Sequence, residues 1–191
     1  MIPNDKYYDK NYRGSWNGLT IISIAIGQGE VTATPLQIAN LGATIANRGY
    51  FITPHVVKEI EDVPLDTLYT TKRYTKVQRE HYETVVEGMR AAVTGGTCRA
   101  ANLSGLDVCG KTGTAQNRGK DHSAFMGFAP MNDPKIAVSV YVENGGWGAT
   151  YGVPIGALII EKYLNGELSA ESEMKARDIQ NRRIDYGIHE R

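Results

Sequence analysis

The amino-acid sequence predicts an α+β fold in which helices pack against an antiparallel sheet. The first sign is a set of β-rich stretches joined by short polar connections, at residues 108–116, 123–130 and 135–143. Connections this short join antiparallel neighbours. The second sign is that segments with helical spacing of apolar residues flank these strands, which is typical of an α+β domain.

The composition is that of a globular chain with no dominant charge. The chain has 191 residues, of which 41% are hydrophobic and 22% charged, so it can form one domain or a piece of a larger one. Lys plus Arg and Asp plus Glu both number 21, so no basic field indicates a nucleic-acid partner.

Neither a membrane span nor a metal site is indicated by the sequence. No apolar run approaches the roughly 18 to 20 residues that cross a bilayer, and the polar start is unlike a signal peptide. Cys98 and Cys109 have the spacing of neither a disulfide framework nor a metal motif, which leaves their pairing open. The histidines are scattered, so we expect structural or surface roles for them, and no metal or other cofactor. They are His55, His81, His122 and His189.

The first predicted helix follows an irregular start that is rich in aromatic and basic residues. Thr34 and Pro35 suit a helix N-terminus, because the hydroxyl can accept from a backbone N–H and proline tolerates the first position. Gly49 suits the C-terminus, since glycine adopts a positive φ. The apolar stripe between them consists of Leu36, Ile38, Ala39, Leu41, Ile45 and Ala46.

Two further elements precede the three strands. Residues 51–60 are expected to form a strand, with Pro54 at an edge or early position. Residues 80–93 predict a helix that ends at the T-G-G triplet of residues 94–96. Its predicted apolar face consists of Val85, Val86, Met89, Ala92 and Val93.

After the strands, residues 153–164 predict a closing helix that ends at Asn165 and Gly166. The domain is therefore expected to occupy residues 1–165. Residues 166–191 are highly charged with few apolar anchors, and we interpret them as a surface or disordered tail.

One stretch satisfies two unrelated motifs. Residues 105–112 fit G-x-x-x-x-G-K-[ST], the phosphate loop of nucleotide hydrolases, while Lys111, Thr112 and Gly113 form the K-T-G triplet of penicillin-recognising acyltransferases. A phosphate loop needs a helix that starts at the Lys-Thr pair, but two glycines and an asparagine follow there. A strand through Lys111 is the better interpretation.

In a strand, Lys111, Gly113 and Ala115 face one side, while Thr112, Thr114 and Gln116 face the other. An ammonium beside threonine hydroxyls suits a carboxylate ligand, and glycine lets another backbone approach closely. From the triplet alone, a solvated lysine on an edge strand is the preferred interpretation.

The surroundings of the triplet carry a family resemblance. The stretches IAIGQGEVTATPLQIANLGATIANRGYFITPHVV, GMRAAVTGGTCRAANLSGLDVCGKTGTAQN and DHSAFMGFAPMNDPKIAVSVYVENGGWGATYGVPIGALIIEKYL occur in this order. Together they resemble the C-terminal half of the transpeptidase domain of class B penicillin-binding proteins, above all elongation-type penicillin-binding protein 2. The resemblance covers about residues 16–165 and implies a partial penicillin-binding protein or serine β-lactamase-like fold.

The resemblance implies peptidoglycan crosslinking by serine acyl transfer, which β-lactams intercept. Lys111 corresponds to the triplet lysine, which supplies positive potential and assists proton movement. Thr112 and Thr114 correspond to carboxylate-binding residues, and the Thr114 backbone N–H to an oxyanion-hole donor. Gln116 continues the strand along which a peptide can align.

The resemblance also implies partners and a location. The partners are peptidoglycan stem peptides, β-lactam antibiotics and membrane proteins of the elongation complex. The location is the periplasmic face of the bacterial inner membrane, with anchorage through an N-terminal segment.

The chain departs from the family in its other two motifs. S-x-x-K, which supplies nucleophile and base, occurs only as residues 172–175 in the charged tail, and S-x-N occurs only as residues 15–17. We interpret both as accidental and expect no nucleophile in this chain. The chain is then a fragment that begins after both motifs, inactive alone and prone to self-association through uncovered apolar surface.

Two other functions stay open at this stage. A serine β-lactamase of related fold also carries K-T-G, and a non-catalytic binding or scaffold module could retain the strand. Trp147, in a glycine-rich loop, is a further candidate for substrate contact, with a structural role as the alternative.

Overall fold

The computed structural model describes residues 2–184 and residue 186, so His189 lies outside the described residues. The chain divides between Thr34 and Pro35 into two compact units. Among the described residues, no helix has the length and apolar character of a membrane span.

The first unit contains two short helices, α1 (Asp5–Tyr12) and α2 (Gly18–Ala25). The expectation of an irregular start was wrong. The Asn4 side chain accepts from the Tyr7 N–H at 2.9 Å and so caps α1, and the ring of Tyr8 packs on those of Tyr12 and Trp16. The cap and the aromatic contacts compensate for the low apolar content of this helix.

The second unit begins with α3 (Pro35–Ala46), and its predicted start and stop are confirmed. The chain leaves the helix through Arg48 and Gly49, which have φ angles of 56° and 110°. The predicted stripe is only partly correct, because Leu36 and Leu41 are exposed while Gly42 and Thr44 are buried. Gly42 lies against Met126, so a small residue faces the sheet here.

The strand expected at residues 51–60 is almost entirely wrong. Only β1 (Tyr50–Phe51) forms, and it pairs with β2 (Arg73–Tyr74) in a separate small sheet. Pro54 has no N–H to donate, which removes a ladder hydrogen bond. Residues 52–72 instead form loops with a short 3₁₀ helix at Thr67–Tyr69.

Helix α4 (Arg79–Thr94) is confirmed, with Gly95 as its C-cap. Its buried residues are Tyr82, Val86, Met89 and Val93. These positions follow the spacing of an amphipathic helix, but the face is turned slightly from the predicted one, because Val85 is exposed.

The predicted sheet is confirmed as three antiparallel strands in the order β3-β4-β5. The strands are β3 (Cys109–Ala115), β4 (His122–Ala129) and β5 (Ile136–Val142). Phe125 and Phe128, on opposite faces of β4, are both almost fully buried. The Phe125 ring packs with α5 (Gly152–Asn165), and Phe128 packs with residues of α3 and α4. Helices therefore cover both faces of the antiparallel sheet, which confirms the α+β class.

The Phe125 ring also explains several glycines around the sheet. A Cβ at Gly110 or at Gly127 would lie 2.5 Å from a ring carbon of Phe125. Gly152, at the start of α5, approaches the backbone of the same residue. Glycine is needed at these places because the ring occupies the space of a side chain.

Of the two expected alternatives for residues 166–191, a surface or a disordered tail, the disordered one is wrong for residues 170–181. After Gly166, whose φ is 79°, residues Ala170–Asn181 form helix α6. Ser169 caps the helix, Ser172 is buried, and Lys175 pairs with Glu171 at 2.7 Å. Caps and charge pairs stabilise a polar helix that apolar content alone does not predict.

Candidate active site on strand β3

The K-T-G triplet lies in the middle of β3, so the nucleotide-binding interpretation is excluded. Lys111 pairs with Met126 and Thr112 with Phe125 in the ladder between β3 and β4. No helix starts at Lys111 to direct N–H groups at a phosphate. Within the described residues β3 is an edge strand, since β4 pairs with it on one side only.

The predicted alternation of side chains along β3 is confirmed by the register. Thr112 and Thr114 lie opposite Phe125 and Ser123, on the face that α5 covers. Lys111 lies opposite Met126, whose side chain contacts Gly42 of α3, and therefore belongs to the other face. Gln116 follows the last residue of β3 and is exposed.

The lysine and the first threonine of the motif contact each other. Lys111 Nζ donates to the carbonyl oxygen of Thr112 at 2.8 Å. The Thr112 backbone also hydrogen-bonds to the Cys98 thiol, which lies outside the sheet, and in an antiparallel ladder the N–H and C=O of one residue point to the same side. We therefore assign both groups of Thr112 to the outer edge. By the two-residue repeat, the N–H and C=O of Thr114 also point to the outer edge.

Sequence reasoning missed one residue at this edge, Thr97. Its hydroxyl oxygen lies 2.9 Å from that of Thr112. The T-G-G triplet correctly predicted the end of α4, but not that the chain then folds back on β3. The Gly96 and Cys98 N–H groups both donate to the Ala92 carbonyl, which produces this return.

A glycine-rich loop, residues 145–152, packs against β3 at Thr112 and Gly113. A Cβ at Gly148 would lie 2.7 Å from the Gly113 carbonyl oxygen and 2.9 Å from the Thr112 Cβ. The buried Ser123 hydroxyl fixes this loop, because it donates to the Trp147 carbonyl at 2.8 Å and accepts from the Gly152 N–H at 3.0 Å. The close backbone approach is therefore made possible by Gly148, whereas a Cβ at Gly113 would meet only the Ala124 side chain, at 3.2 Å.

Trp147 belongs to this loop, and its indole is 74% exposed. With Lys120 and Tyr151 it lines an open cavity of about 430 Å³ beside the loop. Contact of Trp147 with substrate stays a prediction.

The two cysteines are free and buried thiols. Burial raises the pKa of Cys98, although the Thr97 side chain, the Lys111 charge and the Thr112 backbone lower it in part. Burial likewise raises the pKa of Cys109 to about 11. Both thiols are neutral at physiological pH, and Cys98 lies directly beneath Thr97 and Thr112.

The described histidines have structural or surface environments. His122 Nδ1 accepts from the Asn144 N–H at 2.9 Å, and its ring packs on Tyr141. His55 contacts the Thr53 carbonyl, and His81 is exposed. In the described part of the chain, no group of three or more His, Cys, Asp or Glu side chains could hold a metal ion.

Both secondary motif matches have structural explanations. In residues 15–17, Asn17 caps α2 and Ser15 bonds to the Tyr12 carbonyl. In residues 172–175, Ser172 is buried and interacts with Glu161, while Lys175 pairs with Glu171. The lysine of the second match is held in an ion pair with Glu171, so it is not placed to act as a base for the buried serine.

Comparison with protein families and curated sequences gives a consistent result. Residues 5–164 match the family model described as penicillin binding protein transpeptidase domain. The chain is 32% identical over 189 residues to peptidoglycan D,D-transpeptidase MrdA of Haemophilus influenzae, covering 87% of this chain and 29% of that protein. The chain therefore spans less than a third of the length of this curated relative.

Solved structures show the same similarity. Pseudomonas aeruginosa PBP2 in complex with WCK 5153 superposes with a TM-score of 0.74 at 37% identity, over 88% of this chain and 38% of that one. An imipenem acyl-enzyme complex of Mycobacterium tuberculosis penicillin-binding protein A superposes with a TM-score of 0.61 at 32% identity, over 73% of this chain and 33% of that one. Helicobacter pylori PBP2 in complex with MreC superposes with a TM-score of 0.70 at 27% identity, over 88% of this chain and 31% of that one. The fold implied by the sequence resemblance is thereby confirmed.

Proposed function

The chain belongs to the penicillin-binding protein transpeptidase domain family, in its class B, PBP2-type branch, and we propose that it supplies the substrate-binding strand of a peptidoglycan D,D-transpeptidase. The observation that carries this proposal is the outer edge of β3. There Lys111 Nζ lies 2.8 Å from the Thr112 carbonyl oxygen, and the Thr112 hydroxyl lies 2.9 Å from that of Thr97.

This edge suits recognition of a peptide that ends in a carboxylate. The Lys111 ammonium supplies positive charge, and the Thr112 and Thr114 hydroxyls can donate to carboxylate oxygens. Gln116 extends the edge along which the rest of the peptide aligns as an added strand. Gly148, which has no side chain, lets its loop pack closely against the backbone of this strand.

The same edge provides one half of an oxyanion hole. The Thr114 N–H, which points away from β4, is the proposed donor to the oxygen of the tetrahedral intermediate. A donor of this kind contributes about 3 kcal/mol to transition-state stabilisation. A serine from another part of the protein attacks the D-alanyl-D-alanine carbonyl and D-alanine leaves. An amine of a second stem peptide then resolves the acyl-enzyme.

Partners and location follow as part of the proposal. Relatives form acyl-enzymes with β-lactams and bind MreC, and we propose β-lactams and elongation-complex membrane proteins as partners of this protein. Its stem-peptide substrates place the reaction on the periplasmic face of the inner membrane.

The direct test is incubation of the full-length protein with benzylpenicillin, followed by intact-mass measurement. We expect one covalent adduct per molecule that persists for hours. Rapid loss of the adduct indicates a β-lactamase, and absence of any adduct indicates a non-catalytic module.

A second arm of the same test uses the 191-residue chain alone. We expect no adduct, because Ser172 is buried and the lysine of its motif match, Lys175, is paired with Glu171. An adduct that disappears in Ser172→Ala would overturn the structural assignment of residues 172–175.

A further inference from the structure

We propose that Thr97 is a positioning residue that directs the hydroxyl proton of Thr112 toward the carboxylate of the ligand. This inference rests on the proposed function of β3. It assigns a role to a residue outside the K-T-G motif.

Only one proton lies between the Thr97 and Thr112 hydroxyl oxygens. The two hydroxyl oxygens are 2.9 Å apart, so one hydroxyl donates to the other. Each hydroxyl has one proton. If Thr112 donates to Thr97, its proton is no longer available for a carboxylate, which only accepts. Thr112 can serve the ligand only when Thr97 is the donor between them.

The neighbours of Thr97 favour this direction. Lys111 Nζ donates to the Thr112 carbonyl and offers no acceptor to either hydroxyl. A ligand carboxylate only accepts, so it takes the Thr112 proton and leaves the Thr112 oxygen to accept from Thr97. A bound carboxylate then completes a chain in which every proton points toward the negative charge, and such chains strengthen each bond.

The backbone holds Thr97 at this position. A Cβ at Gly96 would lie 2.8 Å from the Ala92 Cα and 2.9 Å from its carbonyl oxygen, so the turn is too tight for a side chain there. The next residue, Cys98, is fully buried in the hydrophobic core, which fixes the position of the turn. The Thr97 side chain itself is exposed, so its contact with Thr112 is not a by-product of core packing.

The experiment measures acylation of the full-length protein by benzylpenicillin and by its methyl ester, which lacks the negative charge. Thr97→Val keeps the shape and removes the hydroxyl, so we expect a loss of about threefold to tenfold for the acid. For the ester we expect a change of less than about twofold, since no carboxylate is present to accept the proton. Thr97→Ser keeps the hydroxyl and should retain the wild-type preference for the acid.

A double mutant separates positioning from direct contact. Because Thr97 acts through Thr112, adding Thr97→Val to Thr112→Val should cause no further loss. A further loss shows that Thr97 contacts the ligand itself, and equal losses for acid and ester show a general structural effect. Either result overturns the proposal, as does wild-type behaviour of Thr97→Val.

The failure of the proposal is distinguishable from failure of the proposed function. A wild-type protein that is not acylated at all refutes both. A protein that is acylated and loses rate in Thr112→Val, but not in Thr97→Val, refutes the role of Thr97 alone. Thermal unfolding of each variant confirms that it is folded before rates are compared.

Discussion

Strand β3 and helix α6 each carry residues that match a catalytic motif of one enzyme family, but the surroundings of the two matches differ. On β3, Lys111 Nζ donates to the Thr112 carbonyl oxygen, and the Thr97 hydroxyl lies beside that of Thr112. On α6, Ser172 is buried and Lys175 is paired with Glu171. The difference shows that a sequence motif alone does not make a functional site. The backbone that carries the motif, and the contacts that its side chains already make, decide whether they can meet a ligand.

Among the variants that test this difference, replacement of Lys111 is expected to change the acylation rate most. Lys111→Met removes the positive charge from the edge of β3, while Lys175→Met removes one from α6. A hydrogen bond to a charged group contributes about 1.5–3 kcal/mol, so acylation by penicillin should fall by about 10-fold to 100-fold in the first variant. In the second it should stay within about twofold, because an exposed ion pair contributes little. Equal losses would show that the two lysines are not functionally distinct.

Gly148→Ala tests whether the loop behind β3 supports the site. The new methyl group would meet the Gly113 carbonyl and Thr112, so β3 or the loop must move. Overpacking of this kind lowers the free energy of unfolding by about 1–3 kcal/mol, and acylation should slow as well. Gly119→Ala is the matched control, since its nearest neighbour would be 4.0 Å away. Wild-type stability and rate in Gly148→Ala would contradict the supporting role of the loop.

The smallest expected effect concerns the structural role of α6. Burial raises the pKa of Glu161, but hydrogen bonds from Ser172 and Ser169 and the Lys175 charge outweigh it and hold the pKa below its usual value. A lowered pKa means that the folded state favours the carboxylate. Its stabilising contribution is therefore present above the unfolded pKa and is lost as the pH falls through the folded one.

Glu161→Gln removes this titration. We expect the stability of the wild type to fall more steeply than that of the variant between about pH 5 and about pH 3. Chemical denaturation at several pH values measures the difference. Parallel pH profiles would contradict a folded-state role for this carboxylate.

The sequence predicted the sheet and three main helices because their signals are local. Thr34 with Pro35, Gly95 and Gly166 mark helix ends in sequence, and the short turns between β3, β4 and β5 dictate antiparallel pairing. Local pattern failed at residues 51–60, where β propensity was present but a partner strand was not. It failed again at α6, where a cap and ion pairs stabilise a helix with little apolar surface.

The candidate site was predictable only in part for the same reason. Lys111, Thr112 and Thr114 lie on one strand, so their alternation follows from the period of a strand. Thr97 lies 15 residues earlier in the chain, and its contact with Thr112 depends on how the turn after α4 meets the sheet. No local pattern encodes that distance.

The account is tested most directly by the acylation rates of two variants of the full-length protein, Thr112→Val and Ser172→Ala, measured side by side with benzylpenicillin. Thr112→Val should lose about tenfold or more, because it removes a hydrogen bond to the carboxylate and keeps the side-chain shape. Ser172→Ala should retain the wild-type rate to within about twofold and lose only stability. A wild-type rate in Thr112→Val together with a large loss in Ser172→Ala would contradict the assignment of the site to β3.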